Sequence, residues 1–160
     1  MFLRKGIIIV VLTLLFDQIN KWHMINVVKV SVEPLKINPF FNLVMVWNNG
    51  ISFGMFQNSE YGHIIFSIIA LIIVVALFLW MKRTKSIIEA TSIGLVIGGA
   101  TGNVIDRFNY GAVADFYDFH INDFHWPAFN IADMAVFIGA VMLCICTIFC
   151  RQQEEQKSGE

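Results

Sequence analysis

Apolar residues gather in four runs along the chain, about Gly6 to Met24, His63 to Met81, Ile87 to Ile105 and Asn130 to Cys150. Each approaches the roughly 20 mostly apolar residues that a helix needs to cross about 30 Å of hydrocarbon. The pattern therefore predicts four transmembrane helices. Two longer connections separate them, about 25–62 and 106–129, together with a short one, "MKRTKS". In the first long connection, "VVKVSVEPLKI" alternates apolar and polar residues, which predicts a short strand ended by Pro34. "FNLVMVW", just before the turn signal "NNG", predicts a second strand. The closing "RQQEEQKSGE" is polar and expected to fray.

Charge orients these elements. Arg4 and Lys5, then Lys82, Arg83 and Lys85, then Arg151 and Lys157 flank the runs on one side, which the positive-inside rule makes cytoplasmic. Both termini are thus expected in the cytoplasm, and both long connections outside. Asp17 and Lys21 stand where a secretory signal would have its small-residue cleavage site, so the first run is read as retained. Trp22, Trp47 and Trp126 fall near outer boundaries and Trp80 near the inner one, as in an interfacial aromatic belt. The expected fold class is an all-α membrane protein: four transmembrane helices with a small extracytoplasmic β-sheet in the first outer connection, one membrane domain over residues 1–160.

Composition agrees with that picture. Of 160 residues, 57% are hydrophobic and 14% charged, with a mean hydropathy of +0.67. The net charge of −1 offers no basic field for nucleic acid. Cys144, Cys146 and Cys150 all lie in the last apolar run without CxxC spacing, so they read as small packing residues.

Against this background the intramembrane acids stand out, because a carboxylate at the bilayer centre costs at least about 2.5 kcal/mol and usually faces a protein interior. Asp17 and Lys21 are four residues apart, on one side of the first helix, and suit an ion pair that positions the helix or serves the site. Gly94, Gly98 and Gly102 form a small-residue stripe on the third helix, made for close packing. Beyond it, Asn103, Asp106 and Arg107 share one turn; an interfacial anchor accounts for Arg107 better than for the other two. Asp115 sits among apolar residues in "VADF", and Asp133 at the mouth of the fourth helix, where Asn130 can cap and Asp133 can complement the helix dipole.

Two acids in apolar contexts on one membrane face, brought together by a connection containing Pro127, suit paired chemistry better than capping alone. Close carboxylates cannot both ionise cheaply, so one keeps a proton while the other acts as a base on water. That division of labour serves an aspartic peptidase. The acid- and histidine-rich "DFYDFHINDFH" lacks strong metal-ligand spacing, so Asp118, His120, Asp123 and His125 read as solvated loop charge and no metal or cofactor is expected.

"DQINK" (Asp17 to Lys21), "NNGISF" (Asn48 to Phe53), "GNVIDR" (Gly102 to Arg107), "VADF" (Val113 to Phe116) and "FNIAD" (Phe129 to Asp133) occur in that order over nearly the whole chain. Together they closely resemble bacterial lipoprotein signal peptidase, or signal peptidase II, an aspartic membrane endopeptidase. The resemblance implies that Asp115 and Asp133 are the catalytic dyad, with Asp17, Lys21, Asn48, Gly50, Asn103, Asp106, Arg107, Asn130 and Ala132 supporting it or binding substrate. It implies cleavage of diacylglyceryl-modified prolipoproteins just before the lipidated cysteine. It also implies inhibition by globomycin-type cyclic peptides, and a place in the bacterial inner membrane with the active site at the outer face and membrane lipid as neighbour. Ile51 and Ser52 stand where the family usually has small residues such as alanine. The rival readings are a small proton-coupled transporter using the same acids and an assembly protein that docks a partner helix on the glycine stripe.

Overall fold

The computed structural model describes residues 1–28, 34–50 and 61–158, with side chains at all of these except 27, 28 and 149–158. In chain order the elements are α1 (Phe2–Val28), β1 (Leu35–Asn38), β2 (Phe41–Asn48), α2 (Gly62–Met81), α3 (Ile87–Tyr110), β3 (Val113–Ile121), β4 (Phe124–His125) and α4 (Ile131–Ser158). Among the described residues α2, α3 and the Ile131–Ile148 part of α4 are long and apolar enough to cross a membrane. α1 has the length, at 27 residues, but carries Asp17, Gln18, Asn20 and Lys21 in its second half. α2 leaves Ile64, Ile68, Ile72, Val75 and Leu79 exposed, an apolar surface that suits lipid rather than water. These features are those of a multi-pass membrane protein.

α3 is the central helix, packing on α1, α2 and α4. Its small residues permit this. A Cβ at Gly94 would sit 2.8 Å from the Gly6 carbonyl oxygen, and one at Gly98 2.7 Å from Thr13 Cβ, so the stripe receives α1. Gly99 turns the other way, onto the Ala132 carbonyl of α4.

Local capping sets the limits of α3. Ser86 caps the helix by accepting the Glu89 N–H, while its own N–H goes to the Thr84 hydroxyl oxygen and the Glu89 carboxylate receives Trp80 Nε1 at 2.7 Å and the Thr84 hydroxyl, which closes the short connection from α2. At the other end Gly111 adopts a φ of 72° and returns its N–H to the Arg107 carbonyl. The helix therefore ends at Tyr110 rather than near Ile105, and Asp106 and Arg107 belong to the helix, Arg107 in its last turn, rather than to the connection. α4 likewise continues as helix through the polar stretch expected to fray, whose Gln, Glu and Lys residues are good helix formers.

The sheet differs more from expectation. It has four antiparallel strands in the order β1-β2-β3-β4, so it is not confined to the first outer connection: half of it comes from the second. β1 begins after Pro34 instead of ending there; Val27 and Val28 are helical, and residues 29–33 of the expected strand lie outside the described residues. Met24 of α1 packs with Ala114 and Phe116 of β3, and Ile25, Leu35, Leu43 and Met45 close around them. The sheet is thereby seated on the end of α1, above the helix ends that carry the acids.

Candidate active site

Asp115 lies on β3, and the β2–β3 register decides its neighbours. Asn48 pairs with Val113 and Val46 with Asp115, which puts Asn48 diagonal to Asp115 on one face. Asn48 Nδ2 donates to Asp115 Oδ2 at 3.2 Å, while its own Oδ1 accepts the Gly50 N–H at 3.1 Å and so fixes which way the amide points. Gly50 thus supports Asn48, and Ile51 to Phe53 of that motif lie outside the described residues.

Asp133 lies in the first turn of α4. Its N–H donates to Asn130 Oδ1 at 2.9 Å and its Oδ2 accepts the Asn130 N–H at 3.2 Å, a reciprocal capping box. Asn130 also donates from Nδ2 to Asp115 Oδ1 at 2.7 Å. One side chain therefore caps α4 and joins the two aspartates, and the capping and site readings of Asn130 are compatible. Asn103 of α3 completes the link, donating to Asp133 Oδ1 at 2.8 Å and accepting from Asn130 Nδ2 at 3.2 Å and from Lys21 Nζ at 2.9 Å.

Behind the pair is a buried ionic layer. Lys21 meets Asp17 Oδ2 at 3.0 Å, Asp106 Oδ2 at 2.8 Å and the Asn103 amide oxygen, which uses all three of its protons. Asp17, Lys21, Asp106, Asp115 and Asn130 are each at most 2% exposed. Charges so desolvated persist only when paired and fully hydrogen-bonded. Arg107 donates to the Asn103 carbonyl at 3.3 Å and lies within electrostatic reach of Asp133, Asp115 and Asp106. Ala132 is fully buried, its N–H on Asp17 Oδ1 at 2.9 Å.

The Asp115 carboxyl is pushed up to about 7, first by burial and then by the charge of Asp133; the Asn48 and Asn130 amides and Lys21 act in the opposite sense. Asp133 is half-buried and borders a cavity of about 680 Å³ lined by Met134, Phe137 and Ala140 of α4 and by Trp126 to Phe129. Open space thus borders one carboxylate while the other is enclosed. Two carboxyls joined by one amide, one of them protonated near neutral pH, can between them donate one proton and accept another.

The signal peptidase II family, described as "Signal peptidase (SPase) II", matches residues 9–149. The chain belongs to the signal peptidase II family. Relatives match it over most of their own length. The lipoprotein signal peptidase of Anaplasma phagocytophilum (strain HZ) is 36% identical over 148 residues, covering 92% of this chain and 94% of its own. That of Nitrobacter hamburgensis is 42% identical over 147 residues, covering 88% and 90%. A solved structure, described as a bacterial membrane enzyme obtained by the in meso method at 2.3 Å resolution, superposes with a TM-score of 0.77 at 31% identity, over 89% of this chain and 87% of the other. As a signal peptidase II the chain is a peptidase that removes signal peptides from prolipoproteins.

Two features of this signal peptidase II escape a reading of the sequence. Asp118 is not solvated loop charge: it is a buried residue of β3 that accepts from Asn42 Nδ2 at 3.1 Å and contacts His125 Nδ1 at 2.8 Å, whereas His125 stands on β4 with its side chain exposed. The partners of Asp118 come from β2 and β4, and strand pairing is not visible in the local acid-rich pattern. His120 is half-buried and stacks on His125 at 4.9 Å, while Asp123 is exposed. Gln18 is the second feature, an amide beside Asp17 that reaches both buried carboxylates. Its signal was there: an uncharged polar residue between two charged ones in an apolar helix. Among the described residues no three His, Cys, Asp or Glu side chains are grouped to hold a metal.

Proposed function

We propose that Asp115 and Asp133 form a water-activating aspartic dyad that removes signal peptides from diacylglyceryl-modified prolipoproteins, cutting just before the lipidated cysteine. The observation that carries this reading is Asn130, whose amide joins Asp115 Oδ1 to the first turn of α4 at Asp133. Asp133 sits in the first turn of α4 and accepts two N–H donors, from Asn103 and from the Asn130 backbone. Asp115 is the enclosed member and holds the proton.

In the reaction Asp133 takes a proton from water as the oxygen attacks the scissile carbonyl, and the Asp115 carboxyl protonates the carbonyl oxygen. Collapse of the tetrahedral adduct breaks the C–N bond, the amine leaves with the proton held by Asp133, and Asp115 recovers its own. No covalent enzyme intermediate, metal or cofactor takes part. Asp17, Lys21, Asn48, Gly50, Asn103, Asp106, Arg107, Asn130 and Ala132 hold the pair in place or meet substrate.

α1 is read as the fourth membrane span, with both termini in the cytoplasm of a bacterial cell and the site at the outer face of the inner membrane. Asp17, Asp106, Asp115 and Asp133 all gather at the sheet end of the helices, which suits a substrate whose lipid anchor holds the scissile bond at that interface. A proton-coupled transporter would instead want broken helices and acids at mid-membrane, and each described helix is continuous.

The test is to incubate the purified chain with a diacylated prolipoprotein and sequence the products by mass spectrometry. The expected product begins at the lipidated cysteine. Cleavage elsewhere, or equal cleavage of the unlipidated precursor, contradicts the substrate assignment.

A further inference from the structure

The two buried carboxylates behind the dyad have a relationship that their burial alone does not require. Asp17 Oδ1 accepts the N–H of Ala132, the residue immediately before Asp133, at 2.9 Å. Asp106 Oδ2 accepts the N–H of Ala114, the residue immediately before Asp115, at 3.3 Å. Each carboxylate thus holds the backbone of one dyad member, and the spacing between the carboxylates is carried to the spacing of the dyad. Two groups set that spacing. One is Lys21, between Asp17 and Asp106. The other is Gln18, whose Nε2 donates to Asp17 Oδ2 at 3.2 Å, to Asp106 Oδ1 at 3.2 Å and to the Gly102 carbonyl at 3.3 Å.

We infer that Gln18 is a positioning residue, the neutral half of a clasp formed with Lys21 that ties α1 to α3 and fixes the separation of Asp115 and Asp133. A single ammonium between two carboxylates leaves an excess of negative charge and one oxygen of Asp106 without a side-chain donor. An amide fills that gap with a donor and adds no further desolvated charge. Buried acceptors of this kind are costly to strand. Gly102 belongs to the same device: a Cβ there would run into the Asp17 carboxylate, so only glycine lets α1 and α3 approach this closely.

The inference rests on the dyad reading, and the experiment separates the two. Gln18→Met keeps the volume and helix propensity but removes both N–H donors. With a diacylated prolipoprotein as substrate, kcat is expected to fall about tenfold while KM stays within about twofold, because the change alters alignment of reacting groups rather than binding. The bell-shaped pH profile should also narrow, since a looser pair interacts less and its two apparent pKa values draw together. Gln18→Asn, which withdraws the amide by one methylene, is expected to fall between wild type and Gln18→Met and provides the same readout if the latter does not fold. A folded variant with unchanged kcat and unchanged profile width overturns the positioning role, as does lower thermal stability with wild-type kcat per folded molecule. Asp115→Asn and Asp133→Asn run alongside: activity in either removes the dyad reading itself, whereas their inactivity with an unaffected Gln18→Met removes only the clasp.

Discussion

Asn130 donates to Asp115 at 2.7 Å while its side-chain oxygen receives the N–H of Asp133 at 2.9 Å, so a helix cap is also the bridge between two acids that come from different elements. Capping and bridging use different atoms of one amide and can be separated by mutation.

Asn130→Ser keeps a good N-cap and loses the donor to Asp115. Stability is expected to fall by about 1 kcal/mol, for the buried acceptors left without that donor, while turnover falls roughly tenfold or more. Asn130→Ala loses both functions and should be destabilised by about a further 1 kcal/mol. Paired thermal melts and prolipoprotein processing distinguish these outcomes; equal losses of stability in both variants would count against the division.

The proton on Asp115 sets the pH dependence. With the folded carboxyl at about 7 and the ordinary value at 3.8, the unfolded chain gives up its proton first as pH rises. Stability from this group is therefore fully present below about pH 4 and declines until the pH passes about 7. Processing should decline on the alkaline side over the same upper range, as the proton is lost. Asp133→Asn removes one of the two causes of the shift, so the Asp115 carboxyl band in an infrared titration should move to lower pH; an unmoved band contradicts the electrostatic link.

Glycine substitutions test the packing around the site. Gly102→Ala drives a methyl group into the Asp17 carboxylate and should cost about 1–3 kcal/mol of stability and most of the activity. Gly111→Ala has open space but a φ of 72°, so it should cost about 1 kcal/mol through backbone strain alone. Loss of processing in the second variant beyond its loss of folded protein would place the chemistry nearer to the α3 terminus than this account allows.

The extent to which the sequence revealed this site follows from the range of each interaction. The helices were legible because apolar runs are local, and Asp17 with Lys21 because a helix brings i and i+4 together. Asp115 and Asp133 were legible as acids in apolar contexts. β3 was not, since Asp115 and Asp118 are buried by Asn48 and Asn42, partners 67 and 76 residues away. Nor was the clasp: Gln18 meets Asp106 across 88 residues, and only the close approach at Gly102 allows the contact.

A chelator should leave processing unchanged, and a globomycin-type cyclic peptide should block it. Activity lost with EDTA and restored by a divalent cation would replace the water-activating carboxylates with a metal, and insensitivity to the peptide would argue against the proposed substrate site.

The most direct measurement is conversion of a diacylated prolipoprotein by Asp115→Asn and Asp133→Asn, each purified and shown to be folded. Both are expected to lose turnover by about four orders of magnitude, as removal of one member of a catalytic unit does. Wild-type turnover in either folded variant would contradict the dyad.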